Sequence, residues 1–312
     1  MAEVAIIIGN GFDLDMGLPS KYSDFIESPE WKAVVKRVES FLFIENYRNQ
    51  SLIAQLQSAS IDSKWFDIEE EIHQFVAAHT ENTAQEIREI KWEFGLIREG
   101  LAKYLKRISQ NQLEEERRLS FELLYQLQNC PLRISEIYFN YTNPAEFMPK
   151  PMYYEHCTFT YVHGSLQKND IVLGCDLQEG EKVNRQLSFM YKYNQLNRAN
   201  HVARSILEAK EIIFFGHSLN EMDFGYFREF FKVASASPNP IRHLTIITYD
   251  EKSERDIKDN MRNQGINVSD LYSNLWTFSV IHTKNVYEGG MDEKKAWQEL
   301  IARLLAKDRQ GI

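Results

Sequence analysis

An α/β fold, built on a mostly parallel sheet with helices on both faces and interrupted by a large all-helical insertion after the first strand, is what three features of the chain predict. Residues 4–8 form a short apolar run, Val-Ala-Ile-Ile-Ile, that stops at Gly9; β-branched residues in such a run mark a strand covered on both faces. Residues 20–128 carry helical signals and almost no two-residue alternation. From residue 135 onward short apolar runs ending in polar residues or glycine return, interleaved with helical stretches, and that order favours parallel strands joined by crossover helices. The fold so predicted is Rossmann-like, with residues 1–27 and 131–312 in the sheet domain and residues 28–130 in the helical insertion.

After the first strand, Gly9 and Gly11 offer a turn whose backbone can approach a ligand with no Cβ in the way. The next glycine, Gly17, falls six residues after Gly11, whereas a dinucleotide fingerprint places it three after. A phosphate-holding turn and a plain strand-to-loop turn both fit. In the insertion, Ser28-Pro29-Glu30 reads as an N-cap followed by proline at the first helical position, opening a helix through Val34, Val35, Val38 and Leu42. Trp65, Ile68, Ile72 and Phe75 recur at helical spacing, as do Ile87, Ile90, Phe94, Ile97, Leu101, Tyr104 and Ile108; such stripes are what packed helices need. Further strands are expected over 136–141, 158–163, 171–174, 212–216, 243–249 and 275–281, with helical character over 182–210 and 222–234.

The formal charge of −9 argues against a passive nucleic-acid coat, although residues 103–107 hold a local basic patch. Cys130, Cys157 and Cys175 form no C-x-x-C pair, so neither a disulfide framework nor a structural zinc site is expected, which suits a reducing cytoplasm. Residues before the first strand include Glu3 and no Lys or Arg, unlike a signal peptide, and no run approaches the ~18 apolar residues of a membrane helix.

Ligands of open α/β sheets collect outside the carboxyl ends of the strands, which directs attention to four strand ends: Gly9-Asn10-Gly11-Phe12-Asp13, Phe139-Asn140-Tyr141-Thr142, Tyr161-Val162-His163-Gly164-Ser165 and Phe215-Gly216-His217-Ser218-Leu219-Asn220. His163 has the chemistry of a general base, and also of a hydrogen-bonded core histidine. Asn140 carries a donor and an acceptor suited to a sugar hydroxyl or a water, and equally suits a turn. Ser218-Leu219-Asn220-Glu221 matches a capping box with Ser218 as N-cap; no G-x-S-x-G elbow is present. Asp250, at the end of a strand, reads as a ribose acceptor or as a surface turn. Asp67, Glu69, Glu70 and Glu71 make an acidic face, of which Glu69 alone shares the buried stripe of Trp65 and Ile72, so Trp65, Asp67 and Glu69 are candidates to line a site.

Taken together these motifs resemble the AbiH family of phage abortive-infection proteins. The resemblance rests on residues 8–14 with Gly17-Leu18-Pro19 and Tyr22, on Trp65 and Asp67-Ile68-Glu69, on Phe139-Asn140-Tyr141-Thr142, on His163-Gly164, and on Gly216-His217-Ser218-Leu219-Asn220 with Asp223. The same landmarks are similar to a divergent sirtuin-type NAD-binding domain. That similarity implies NAD as substrate, with Asn140 and His163 as the catalytic pair. Gly9, Asn10, Gly11, Phe12, Asp13, Gly17, Pro19 and Tyr22 would lie around the phosphates and ribose, and Gly216, His217, Ser218, Leu219, Asp223 and Asp250 would lie beside the rest of the dinucleotide. Asn10 and Asp13 replace small residues of that pattern and Thr142 replaces an aspartate, while the absence of the four zinc cysteines speaks against deacylation. The implied function is antiphage defence by an NAD glycohydrolase, raised from low resting activity by a phage-derived trigger, a partner defence protein or homo-oligomer assembly, with no membrane partner. Two alternatives remain open: a metal-dependent nuclease or nucleotide phosphohydrolase using Asp13, Asp67 and Glu69, and a non-catalytic nucleotide sensor.

Overall fold

A computed structural model describes residues 2–41, 51–62, 67–110, 118–143, 156–177, 180–194 and 199–306. The chain folds into two compact units, one of residues 1–18, 112–162 and 198–312, the other of residues 19–111 and 163–197. Among the described residues no helix is long and apolar enough to cross a membrane.

The first unit holds a six-stranded, all-parallel sheet. Its strands are β1 (Val4–Ile8), β2 (Ile134–Tyr138), β3 (Cys157–Tyr161), β4 (Glu211–Phe215), β5 (Asn239–Thr248) and β6 (Leu275–His282), in the order β3-β2-β1-β4-β5-β6. This is the Rossmann order, in which successive strands run outward from β1 in one direction and then, from β4, in the other; the ligand crevice of such sheets lies where the direction reverses, at the carboxyl ends of β1 and β4. Every residue of β1, β2 and β4 is buried. Ala5, Ile7, Ile212 and Phe214 share one core with Phe224, Phe227, Phe230 and Phe231, whereas Val4, Ile6 and Ile8 share another with Leu123, Leu127, Leu300 and Leu304. The period-two alternation of side chains puts these two sets on opposite faces of β1. The helix Leu119–Leu127 is tied to the site-bearing helix Asn10–Asp15, because Asp15 accepts from the Ser120 N–H at 2.9 Å and from the Tyr287 hydroxyl at 2.7 Å.

One buried carboxyl sits inside this sheet. Glu136 on β2 accepts from the Tyr138 hydroxyl and, at 3.5 Å, from the Cys157 thiol, yet its burial pushes the carboxyl up to about 7. The native state therefore holds a proton that the unfolded chain releases from about pH 4.5 upward, and the stability linked to it is present at low pH and lost as pH rises through about 7. Glu136→Gln is expected to remove about 3 kcal/mol of that pH dependence, read as a flatter Tm between about pH 5 and pH 7.

The second unit is helical: Tyr22–Glu27, Pro29–Phe41, Leu52–Asp62, Ile68–Ala78 and Ala84–Ile108. Ser28 caps Pro29–Phe41 by accepting from the Trp31 N–H at 3.2 Å, and Thr83 with Glu86 forms a capping box at the start of Ala84–Ile108. The expected stripes are buried at Val34 and Val38, at Ile68, Ile72 and Phe75, and at Ile90, Phe94, Ile97, Leu101, Tyr104 and Ile108. Trp65 and Leu42 lie outside the described residues.

Three expectations differ. Residues 171–174 form no strand: Ile171, Val172 and Leu173 are buried, but Val172 gives its N–H to the carbonyl of His163 within a loop, and a short apolar run does not by itself distinguish a buried loop from a strand. Among the described residues of 182–210 the α-helix covers only Ala199–Glu208, preceded by single 3-10 turns at Ser188–Met190 and Lys192–Asn194. Upstream, the Asn184 side chain accepts from the N–H groups of Gln186 and Leu187 and donates to the carbonyls of Val76 and His79; side-chain bonds of this kind compete with a helix. The helix expected over 222–234 divides into Glu221–Phe224 and Arg228–Ala236, separated by a turn in which Tyr226 and Phe227 each bond three residues back.

Candidate functional site

Gly9 ends β1 and the helix Asn10–Asp15 begins at once, so the glycine turn is shorter than the sequence suggests. The space its glycines leave is taken by the chain itself. The Gly9 N–H donates to the Phe215 carbonyl at 3.0 Å, the Gly11 N–H to the Gly216 carbonyl at 2.9 Å, and the Phe12 N–H to the Gly9 carbonyl at 2.9 Å. A Cβ on Gly9 would lie 2.6 Å from the Gly216 oxygen, one on Gly11 2.6 Å from the Gly216 Cα, and one on Gly216 2.3 Å from the Phe12 nitrogen. Two backbones thus meet at the reversal point of the sheet. Gly17, with φ +87 and open space around it, ends the helix, a common use of left-handed glycine.

Asp13 points from that helix toward the end of β2. It is 1% exposed, and both oxygens accept hydrogen bonds: Oδ1 from the Asn140 amide nitrogen at 2.7 Å, Oδ2 from the Thr142 hydroxyl. Burial outweighs these bonds and pushes the Asp13 carboxyl up to about 7. Asn140 is 6% exposed, and its Oδ1 has no hydrogen-bond partner among the described residues. Thr142 was not foreseen as part of the site. Its signal was its place in the same strand-end motif, two residues after Asn140 in the bend that follows β2.

At the end of β4, Gly216 takes φ +66. The next residue, His217, is buried among the rings of Phe139, Phe214 and Phe227, with centroids 4.5, 6.2 and 5.1 Å away. Its Nδ1 accepts the Leu219 N–H at 3.0 Å, so the proton of the neutral ring sits on Nε2, which stands 3.8 Å from Asp223 Oδ2. Leu219 is held at φ +51, an unusual region for a bulky residue. The helix cap here is Asn220, which accepts from the Asp223 N–H at 2.9 Å; the expected cap Ser218 is exposed, two residues too early. Asp250 also acts as a cap, accepting from the N–H and hydroxyl of Ser253, and these bonds hold its carboxyl below the ordinary range.

In the second unit Glu69 is buried, as its place in the stripe with Ile72 implies, and it meets Tyr22. Glu69 accepts from the Tyr22 hydroxyl at 3.2 Å and from the Lys192 ammonium at 2.6 Å, and both Glu69 and Lys192 are buried. Asp67 caps the helix Ile68–Ala78 through the Glu69 N–H, and the Pro19 carbonyl accepts from the Tyr104 hydroxyl. Nothing in the sequence pairs Lys192 with Glu69 across 123 residues. Lys192→Met is expected to cost about 3–5 kcal/mol, the penalty of leaving a buried carboxylate uncompensated, measured as a fall in Tm that Glu69→Gln in the same chain largely restores. His163 is buried, its carbonyl accepts the Val172 N–H at 2.8 Å, and Gly164 at φ +75 packs on the Asp170 carbonyl.

The carboxylates of Asp13, Asp67 and Glu69 are each engaged by protein donors and are divided between the two units. Among the described residues no group of three or more His, Cys, Asp or Glu side chains is placed to hold a metal ion, and Cys130, Cys157 and Cys175 form no disulfide.

Compared with known families, residues 5–242 match the model of bacteriophage abortive infection AbiH. No curated protein matches the chain.

Proposed function

Since the chain belongs to the bacteriophage abortive-infection family AbiH, and so serves in defence against phage, we propose that its reaction is hydrolysis of the nicotinamide–ribose bond of NAD. What supports this reading is the buried Asp13–Asn140–Thr142 cluster at the carboxyl ends of β1 and β2, beside the position where sheets of this strand order take a dinucleotide.

The reaction needs little acid catalysis, because the nicotinamide nitrogen is cationic in NAD and leaves neutral with the electrons of the broken C–N bond. Positive charge then develops at the ribose anomeric carbon, as in glycoside hydrolysis. Water forms the new C–O bond and gives up one proton, which passes to solvent. The Asn140 carbonyl holds a ribose hydroxyl or the attacking water. The glycines at the strand ends serve first to join two backbones, so any phosphates are held by groups other than the Gly11 and Phe12 N–H, which are already committed. Activity is low at rest and rises on infection, since unrestrained loss of NAD would kill the host.

The test follows NAD in bacteria that make the protein, before and after phage challenge, and supplies NAD, ATP, RNA and DNA to the purified chain with and without magnesium. NAD is expected to fall only after infection, and purified protein in its active state is expected to release nicotinamide and ADP-ribose in the presence of a chelator. Unchanged NAD in a culture that is nonetheless protected overturns the reading. So does magnesium-dependent loss of RNA, DNA or ATP, or binding of NAD with no turnover in any state.

A further inference from the structure

The orientation of the Asn140 amide carries information about what the site accepts. Asp13 Oδ1 accepts a hydrogen bond from the amide nitrogen of Asn140 at 2.7 Å, which leaves the amide oxygen facing away. Thr142 occupies the other Asp13 oxygen with its hydroxyl, which keeps the carboxylate from turning to serve Asn140 differently. The result is a carbonyl oxygen that is buried and has no partner among the described residues. A buried acceptor without a donor is costly, and a ligand that completes it must bring an O–H or N–H.

We infer that Asp13 is a positioning residue that sets the polarity of the Asn140 amide, and that the oxygen so presented accepts a ribose hydroxyl, making the site select ribonucleotides over their deoxy counterparts. This rests on the reading that the site takes a nucleotide, and it assigns Asp13 neither to a cation nor to the phosphates. A site built around an unsatisfied acceptor rejects a ligand lacking the matching hydroxyl more strongly than an apolar pocket rejects a missing methylene.

The experiment is equilibrium binding of the full chain to carbocyclic NAD, which resists cleavage, and to its 2′-deoxy and 3′-deoxy forms on the nicotinamide side. One deoxy form is expected to bind about 10- to 100-fold more weakly than the parent. Asp13→Asn is expected to bring that ratio close to one, since an amide at position 13 can face Asn140 with either atom and no longer dictates its orientation. Asn140→Leu, which keeps the volume and removes the acceptor, is expected to weaken the parent compound to the level of the poorer deoxy form. The wild-type ratio needs no variant, so a variant that fails to fold leaves the measurement decisive. Equal binding of all three compounds, as a resident water on Oδ1 would give, overturns the inference, and so does binding of none of them. Selective binding with no release of nicotinamide from NAD in any state overturns the hydrolase reading and leaves the inference standing.

Discussion

Asn140→Ala is expected to lower nicotinamide release by about 10²–10³-fold under the conditions in which the wild-type chain is active, the usual cost of removing one preorganised polar group from a reacting centre. The change removes the carbonyl proposed to hold hydroxyl or water, and it also takes one of two donors from Asp13. It deletes no core hydrocarbon, because β2 ends at Tyr138, so the far-ultraviolet spectrum and the cooperativity of unfolding should be retained. The rate, measured on protein shown to be folded, decides the point: full activity in the variant removes Asn140 from the reaction.

A larger structural effect is expected at Gly216. Alanine there meets two penalties at once. Its Cβ would lie 2.3 Å from the Phe12 nitrogen and 2.4 Å from the Gly11 carbonyl carbon, and its backbone would have to keep φ +66. The left-handed conformation costs about 1–2 kcal/mol for a residue with a Cβ, and relieving the overlap means parting two backbones that hydrogen-bond at 2.9 Å between β1 and β4. Gly216→Ala should therefore lose about 4 kcal/mol or more, a large share of the roughly 5–15 kcal/mol by which native states are stable. Gly17→Ala is the control. It has φ +87 but nothing within 4 Å, so it should lose only about 1 kcal/mol. Urea unfolding of both variants reads the difference. Equal losses would mean that the contact between the strand-end loops contributes nothing.

Why the glycines are there was the point on which residue pattern was least informative. Gly9, Gly11 and Gly216 are legible as places where something comes close, but a phosphate and a second backbone ask for the same absence of a Cβ. Only the distances show that Gly216 fills the space. The helix caps teach the same lesson on a smaller scale. Ser218 and Asn220 are both good N-cap residues, and the choice fell to Asn220 because the backbone between them is turned by Leu219 at φ +51.

Local patterning alone determined that this chain is α/β, that its first strand is buried on both sides, that helices follow it before the second strand, and that Glu69 faces inward. These follow from periodicity and composition, which act between residues a few positions apart. The family, too, was legible in the strand-end motifs, and the match over residues 5–242 bears it out. The tertiary fold decided what those motifs touch. Asp13 meets Asn140 and Thr142 across 127 and 129 residues, and Glu69 meets Lys192 across 123. Pairings at such separations depend on strand order and on which helix covers which surface, and no local preference encodes them. The charge state of Asp13 belongs to the same class, because it is set by how completely the folded chain removes that carboxyl from water.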